Sequence, residues 1–171
     1  MSTTPLVAVR VVERDEADWL ETVFNRDWPW PRPSGFVTRV FDRHTHVVAQ
    51  LDDNTYLGHC RVNPSPEHPP FHEAGIAEIQ DLNVMPEFRR RGAASALLDF
   101  AESLVAATSD VVGIGVGLYD DYGPAQRLYS RRGYVLDGTG MWWRHQPVSG
   151  GDTVVADDDL TLYFTKPLRP M

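Results

Sequence analysis

The sequence predicts one α/β domain over residues 1–171, and three observations support this prediction. The length lies within the range of about 100–200 residues that a single domain occupies. Strand-like and helix-like patterns of apolar residues alternate along the chain, with no long linker and no internal repeat. Apolar residues make up 42% of the chain and charged residues 23%. Both values are close to the averages of globular proteins, so the composition excludes the disordered and disulfide-scaffold classes.

The first half of the chain contains three strand patterns and two helix patterns. In chain order they are a strand over residues 6–12, a helix over 15–24, a short helix over 36–41, and strands over 45–50 and 55–62. The tryptophan- and proline-rich segment 27–33 ends the first helix, and the turn 51–54 joins the two later strands into a hairpin. Four prolines between Asn63 and Gly75 predict a surface loop without regular structure.

Strands and helices alternate more regularly in the second half. The predicted elements are a strand over residues 76–84, a helix over 89–108, a strand over 111–118, a helix over 124–132, a strand that begins at 134–136, and a last, antiparallel strand over 160–165. Gly113, Gly115 and Gly117 stand at alternate positions of one strand, where they allow close approach to its backbone. Residues 137–159 carry no clear pattern.

Charge and hydropathy exclude two kinds of partner. The 16 basic residues against 24 acidic residues give a net charge of −8, which repels nucleic acid. The longest apolar run, residues 111–118, is too short for a membrane helix. The first five residues lack the basic and apolar regions of a signal peptide, so we expect a cytoplasmic protein with no membrane partner.

No metal site is expected from the cysteine and histidine positions. Cys60 is the only cysteine, which excludes an intrachain disulfide and a multi-cysteine zinc site. His68 and His72 have the spacing of some zinc ligands, but the two prolines between them, Pro69 and Pro70, disfavour the helix that would align them.

Three consecutive arginines, at positions 89–91, stand where the long helix is predicted to begin. A helix N-terminus carries unpaired N–H groups and a partial positive charge, so each cation there is unfavourable by about 0.3–1 kcal/mol. Gly92 and the small Ala93 and Ala94 allow a ligand to approach the backbone closely. The turn therefore predicts a site for a phosphate or pyrophosphate, and a solvated basic turn is the alternative.

Two sequence blocks resemble one known family. Residues 82–94, LNVMPEFRRRGAA, resemble the Arg/Gln-x-x-Gly-x-Gly/Ala motif of the GNAT superfamily of N-acetyltransferases. Residues 125–135, AQRLYSRRGYV, are similar to the later Ala-x-x-Leu-Tyr-x-x-x-Gly-Phe block of that superfamily. The blocks occur in the family's order with room for one helix and one strand between them, and two motifs in order are more specific than either alone.

The resemblance implies a fold and a cosubstrate. It implies a mixed, mostly antiparallel, twisted sheet, splayed between strands 4 and 5 and flanked by helices, with acetyl-coenzyme A (acetyl-CoA) in the opening. It implies that the pantetheine arm pairs with strand 4 at Leu82 and Val84, and that amides of the next turn receive the pyrophosphate. That turn comprises Arg89, Arg90, Arg91, Gly92, Ala93, Ala94 and Ser95. Family members often have an asparagine three residues before Ala125, where this chain has Tyr122, so these two residues are candidate contacts there.

Acetyl transfer to an amine needs a base, because an amine with a pKa of about 10.4 is protonated at neutral pH. Glu78 is the candidate, since it precedes the arginine turn by the distance that separates the base glutamate from this turn in the family's histone-acetylating members. On a strand it shares a face with Gln80 and Leu82. A bulge, which is usual in this strand of the family, would switch the face and make Asp81 the base instead.

Tyr129 matches the family tyrosine that hydrogen-bonds the coenzyme sulfur and acts as the acid. Proton transfer from a phenol with a pKa near 10 to a thiolate near 8.5 is uphill by about 2 kcal/mol, so Tyr129 is expected to donate a hydrogen bond more than a whole proton. A strand amide, that of Val84, is the expected donor to the oxyanion. A tyrosine packed against the sheet is the alternative interpretation of Tyr129.

The sequence thus predicts an acetyl-CoA-dependent N-acetyltransferase that acts, without a metal, on the primary amine of a small cationic molecule. The preference for a cation rests on the acidic net charge and on residues 63–75, which in this family lie near the acceptor entrance. A protein lysine or N-terminus is the alternative acceptor. A non-catalytic acyl-CoA-binding sensor is the alternative outside the enzymes. Dimers are common in the family, so a homodimer is a further expectation.

Overall fold

The computed structural model describes residues 7–27, 33–51 and 53–169, and strands and helices alternate along them. The elements in chain order are β1 (Ala8–Val11), α1 (Ala17–Asp27), α2 (Phe36–Phe41), β2 (Thr45–Gln50), β3 (Tyr56–Asn63), α3 (Pro69–Ala74), β4 (Ala77–Val84), α4 (Ala93–Ala106), β5 (Val111–Gly117), α5 (Gly123–Arg131), β6 (Val135–Trp143), β7 (Gln146–Pro147) and β8 (Leu160–Pro167). Parts of three predicted elements lie outside the described residues: Leu6 of the first strand, residues 28–32 of the break after the first helix, and Asp52 of the hairpin turn.

The strands form a mixed sheet in the order β1-β2-β3-β4-β5-β8-β6-β7. The pairs β1–β2, β2–β3, β5–β8, β6–β7 and β6–β8 are antiparallel. β4 and β5 are parallel, and their paired residues run from Ala77 to Ile79 opposite Val112 to Ile114. The predicted fold class, a mostly antiparallel mixed sheet with helices, is confirmed. The pairing of β4 with β5 ends at Ile79.

The described chain divides into two compact units. The first unit comprises the described residues up to 63 together with residues 80–104, and the second comprises residues 64–79 and those from 105 onward. The expectation of a single domain stays a prediction. No helix in the described ranges is long and apolar enough to cross a membrane.

A short helix, α3, lies within the segment predicted as a loop, so that prediction is wrong for residues 69–74. Pro69 and Pro70 occupy the first turn of α3, where a helix needs no N–H donor. Gly75, with φ of 65°, ends the helix in the left-handed conformation. The prolines therefore begin a helix instead of preventing one.

The long helix α4 begins at Ala93, four residues later than predicted. Arg89 is extended, with φ −61° and ψ 153°, while Arg90 and Gly92 are left-handed, with φ of 62° and 88°. These dihedral angles place the arginines in a turn before the helix. Within α4 the buried residues recur at steps of three and four, as on one face of a helix: Ala93, Leu97, Leu98, Ala101 and Val105.

The core of the first unit consists of apolar side chains from several elements. Its members are Val12, Ala17, Leu20, Val37, Phe41, Val48, Tyr56 and Met85.

Gly58 on β3 lies against β4: a Cβ at this position would be 2.2 Å from the backbone oxygen of Asn83. The amide of Met85 donates a hydrogen bond of 2.8 Å to the carbonyl of Leu57. Since the neighbour is backbone, it cannot rotate away from a larger residue.

His46 of β2 is buried in the same unit, with 3% of its surface exposed and its ring stacked on Phe41 at 4.9 Å. Its Nε2 atom has no hydrogen-bond partner among the described residues. Burial, followed by the positive charge of Arg61 and then His44, lowers the pKa of His46 from 6.5 to about 4. His46 is therefore neutral in the folded protein near pH 7.

Aromatic side chains lie directly on the backbone of β5 in the second unit. A Cβ on Gly113 would lie 2.2 Å from the ring of Phe71, and one on Gly117 would lie 2.4 Å from the ring of Tyr122. Phe71 also packs with Trp142 and Tyr163 in a buried cluster. The alternate glycines thus permit close approach, as predicted, and the approaching groups are rings.

We expect Gly58→Ala to reduce the free energy of unfolding by about 2–3 kcal/mol, because its methyl group would collide with the Asn83 carbonyl. Urea denaturation measures this change. Gly123→Ala is the matched control, since a Cβ at position 123 meets no described atom within 4 Å. Equal stability of the two variants would contradict the predicted collision.

Stability should fall as the pH decreases through the range from about 6.5 to about 4, because the unfolded chain then binds a proton that folded His46 does not. The loss by pH 4 is about 3 kcal/mol. His46→Phe should flatten this dependence in urea denaturation at pH 7 and pH 4, whereas His72→Gln, at an exposed histidine, should keep it. An equally steep loss in His46→Phe would refute the assignment.

Candidate active site

The arginine turn, residues 89–95, lies in the first unit, where it follows a short 3-10 helix and includes the first three residues of α4. Arg89, Arg90, Arg91 and Gly92 are exposed, Ala94 and Ser95 are half-buried, and Ala93 is buried. The Arg89 Nε atom donates to the carbonyl of Val84 at 3.2 Å. The Arg91 guanidinium lies 5.7 Å from the Phe88 ring centroid. The turn thus presents exposed cations directly before the first turn of α4.

The conformation of this turn fits a bound diphosphate. A Cβ on left-handed Gly92 would meet no described atom within 4 Å, so the backbone there is open to a ligand. The first intrahelical hydrogen bond runs from the Ala96 amide to the Gly92 carbonyl at 2.9 Å. The amides of Ala93, Ala94 and Ser95 lie in the first turn of α4, where the helix itself supplies no carbonyl to bind them. Such amides at the start of a helix favour the binding of an anion. The predicted residues thus meet the chemical needs of a pyrophosphate.

Glu78, the predicted base, lies in the second unit on β4 with only 6% of its surface exposed. It stands opposite Gly113 in the parallel β4–β5 register. Its Oε1 atom is 3.2 Å from the position that a Cβ on Gly115 would take. Glu78 is therefore a buried carboxylate that lies beside the β5 backbone, at a place where only glycine leaves room.

Two side chains of β8 share this place with Glu78. Cγ2 of Thr161 and Cε1 of Tyr163 lie 3.0 Å and 3.1 Å from the same Cβ position on Gly115. Burial, followed by the negative charges of Glu78 and Glu67, raises the pKa of Tyr163 well above its usual value. Tyr163 is thus a neutral phenol next to the candidate base.

His68 also packs against Tyr163. Its ring is stacked on that of Tyr163 at 3.5 Å between centroids, with 8° between the planes. Nε2 of His68 is 3.3 Å from Oδ2 of Asp137, while Nδ1 has no partner among the described residues. Burial lowers the pKa of His68, and the Asp137 hydrogen bond opposes this shift. Because the carboxylate only accepts, a neutral His68 carries its proton on Nε2.

Asp81, the alternative base, is part of the first unit and is left-handed, with φ of 54° inside β4. A left-handed residue inside a strand bends it, as the first residue of a G1 bulge does. Its carboxylate accepts a hydrogen bond of 2.5 Å from Nε of Arg61. The side chains of this ion pair are only 12% and 11% exposed. The carboxylate of Asp81 is thus engaged by a cation, whereas that of Glu78 lies beside Thr161 and Tyr163.

Tyr129, the predicted acid, lies on α5 in the second unit and is 5% exposed. Its ring centroid is 5.8 Å from that of Tyr134 and 6.5 Å from that of Phe164. Ala125 lies one turn earlier on the same helix and is half-buried. Nε2 of Gln126 donates to the Gly117 carbonyl at 2.9 Å, which fastens the start of α5 to the end of β5.

Tyr122, which replaces the family asparagine, uses its hydroxyl within the protein. It donates to Oδ1 of Asp158 at 2.9 Å, and Tyr119 donates to the same oxygen. Burial and then Asp158 raise the pKa of Tyr122, and the same causes raise the pKa of Tyr119 to about 12. Both phenols are therefore protonated near neutral pH. Its proposed contact to the cofactor stays a prediction.

Sequence reasoning missed the group around Gly115 and the His68–Asp137 pair. Thr161 and Tyr163 stand two residues apart on a strand, so the alternation did place them on one face. Their position beside Glu78 depends on the β8 register, in which Tyr163 lies opposite Gly115. His68 and His72 bind different partners, since Nδ1 of His72 lies 3.2 Å from Oγ of Ser65. Among the residues that the structure describes, no three potential ligands gather as a metal site.

Comparisons with known proteins give a consistent result. No curated protein matches the chain. A GNAT-family protein from Desulfovibrio desulfuricans has a TM-score of 0.69 at 16% identity, over 96% of this chain and 100% of that one. Ard1 from Thermoplasma volcanium has a TM-score of 0.70 at 16% identity, over 96% and 99%. The spermidine/spermine N-acetyltransferase SpeG from Vibrio cholerae has a TM-score of 0.62 at 15% identity, over 95% of each chain.

At these identities the solved structures show a shared fold. The family itself is shown by the sequence, because residues 14–134 match the acetyltransferase (GNAT) family, and this match covers more than two thirds of the chain. It includes the arginine turn, Glu78, Tyr129 and both sequence blocks up to Tyr134. This chain therefore belongs to the acetyltransferase (GNAT) family and is an acyltransferase.

Proposed function

We propose that this protein transfers the acetyl group of acetyl-CoA to the primary amine of a small cationic molecule, with Glu78 as base and Tyr129 as acid. The observation that carries the proposal is the buried carboxylate of Glu78 beside Gly115, on the strand that leads into the arginine turn. The family uses acetyl-CoA as cosubstrate. We also propose that the two units together form one acetyltransferase domain.

The residues proposed to bind acetyl-CoA follow from the family motif and the turn. The strand residues Leu82 and Val84 would pair with the pantetheine arm. The open backbone at Gly92 and the exposed guanidinium groups of the turn would hold the pyrophosphate. Tyr122 and Ala125 would contact the cosubstrate at the start of α5. No metal takes part in this proposal.

Glu78 would accept a proton from the ammonium form of the acceptor, directly or through a water molecule, which frees the nitrogen lone pair. The nitrogen then forms a bond to the thioester carbon as the carbon–sulfur bond breaks, which gives an N-acetyl amine and free coenzyme A. The amide of Val84 would donate to the oxygen on which negative charge develops.

Tyr129 would act on the departing sulfur. A phenol near pKa 10 donates a hydrogen bond to a thiolate near 8.5, and a full transfer of the proton costs about 2 kcal/mol. Burial of Tyr129 among aromatic rings supports this role, because a hydrogen bond is stronger where water is excluded.

Acidic groups in the second unit support a cationic acceptor. An open pocket of about 440 Å³ is lined by Ser65, Pro66, Glu67, Pro69, His72 and Glu73. Glu67 also contributes to the raised pKa of Tyr163. The net charge of −8 favours the approach of a cation. Spermidine, a substrate in the printed name of SpeG from Vibrio cholerae, is therefore one of the amines to test.

The test of the proposed function is release of coenzyme A thiol from acetyl-CoA in the presence of a panel of amines. The panel contains spermidine, other small cationic amines, a lysine peptide and a peptide with a free N-terminus. We expect thiol release with at least one small cation and slower release with the peptides. Binding of acetyl-CoA without thiol release would indicate the sensor instead.

Glu78→Gln is the paired variant for this test. We expect kcat at neutral pH to fall by about 10²–10⁴-fold, because the amide cannot accept the ammonium proton, while the affinity for coenzyme A stays unchanged. An unchanged rate at every pH would assign the base to Asp81 or to another group.

Tyr129→Phe should slow turnover by at least about tenfold with little effect on the Kd for acetyl-CoA, because it removes only the donor to sulfur. Tyr134→Phe is the matched control, since Tyr134 is also buried, and its ring contacts that of Tyr129. Steady-state kinetics and calorimetric titration measure the two effects. Normal turnover of Tyr129→Phe would remove the assignment.

A further inference from the structure

The bend in β4 at Asp81 sets the direction of the strand residues that follow it. Asp81 has φ of 54°, whereas a regular strand residue is extended. Aspartate adopts the left-handed region more readily than most residues, but such a conformation inside a strand persists only when its surroundings hold it. Leu82, Asn83 and Val84 come directly after this bend. Whatever fixes Asp81 therefore fixes the backbone of these three residues.

Arg61 of β3 holds the Asp81 side chain. Its Nε donates to Oδ2 of Asp81 at 2.5 Å, and both side chains are nearly buried. The Nη1 atom of the same guanidinium lies 2.5 Å from Nδ1 of His44, which must accept because arginine only donates. The guanidinium carbon lies 5.5 Å from the ring centroid of Phe36. Three partners thus fix the position of Arg61.

The strand that carries Arg61 also fixes the backbone beyond the bend. Gly58 approaches the Asn83 carbonyl closely, and the Met85 amide binds the Leu57 carbonyl at 2.8 Å. β3 therefore meets β4 and the residue after it at three places: it binds the Asp81 side chain and the Met85 amide, and it lies close to the Asn83 carbonyl.

We propose that Arg61 is a positioning residue for acetyl-CoA. Through Asp81 it holds the bend of β4, and this bend sets the backbone groups of Leu82 and Val84. The inference rests on the proposed function, in which these two residues bind the pantetheine arm. It assigns Asp81 to the ion pair with Arg61 and not to proton transfer.

The test compares three variants in calorimetric titrations with coenzyme A. Arg61→Met keeps the length of the side chain without its charge, and Asp81→Asn keeps a residue that tolerates the left-handed conformation. We expect each to raise the Kd about tenfold. The double variant should bind no more weakly than the weaker single variant, because both changes break one interaction. The amide resonances of Leu82 and Val84 should shift in the free variants.

Arg14→Met is the matched control, since Arg14 pairs with Asp42 at 3.0 Å on the exposed surface of the same unit, and its Kd should equal that of the wild type. A single variant leaves one buried charge without its partner and can unfold. The test therefore includes two further variants: the double variant, which leaves no unpaired charge, and Arg61→Lys, which keeps the positive charge. Arg61→Lys should bind with an intermediate Kd, because ammonium lacks the fork of guanidinium.

A folded double variant with a wild-type Kd and unshifted Leu82 and Val84 resonances would overturn the inference. If the losses of binding free energy in the two single variants add up in the double variant, the inference is also overturned.

Asp81→Asn should keep the pH dependence of kcat. Loss of the basic group from that pH profile would assign Asp81 to proton transfer. A wild-type protein that binds no coenzyme A would refute the proposed function together with this inference. Wild-type binding with unaffected variants would refute this inference alone.

Discussion

Direct packing of side chains on the backbone of β5 determines the arrangement of the second unit. On one face of this strand the residues are glycines, and the space that their side chains would fill holds Phe71, Tyr163 and Tyr122. The same space at Gly115 holds a carboxylate oxygen of Glu78. A charge in such a water-poor place interacts strongly with its neighbours, which is why it contributes to the raised pKa of Tyr163. The glycines thus permit both the aromatic packing and the burial of the candidate base.

In the first unit the corresponding constraint is the close approach of β3 to β4. Gly58 leaves room for the Asn83 carbonyl, and the buried ion pair between Arg61 and Asp81 holds a left-handed residue inside the strand. A buried ion pair contributes little net stability once its desolvation is counted, so we propose that this pair acts by selecting one backbone path. That path leads to the strand residues and the arginine turn that the GNAT motif covers.

Charge is distributed unevenly over this acidic protein. The net charge is −8, but three exposed arginines follow one another in the turn before α4. Cations at a helix N-terminus are unfavourable, so these arginines do not stabilise the start of α4. Elsewhere two phenols donate to the single carboxylate of Asp158, and this contact joins the start of α5 to the loop before β8. A tyrosine at position 122 therefore has a clear structural use in place of the family asparagine.

The sequence by itself determined the β2–β3 hairpin, the helices α4 and α5, the family and the arginine turn, because these depend on residues that are neighbours in the chain. Its resemblance to the family also made Glu78 the candidate base and Tyr129 the candidate acid, and these two roles stay predictions. Only the tertiary structure decided that prolines 69 and 70 begin a helix, that Asp81 is left-handed, and that His68 meets Asp137, 69 residues away. Local patterns contain no information on which distant side chains share a buried space, since that depends on strand register and on the room that glycines leave between strands.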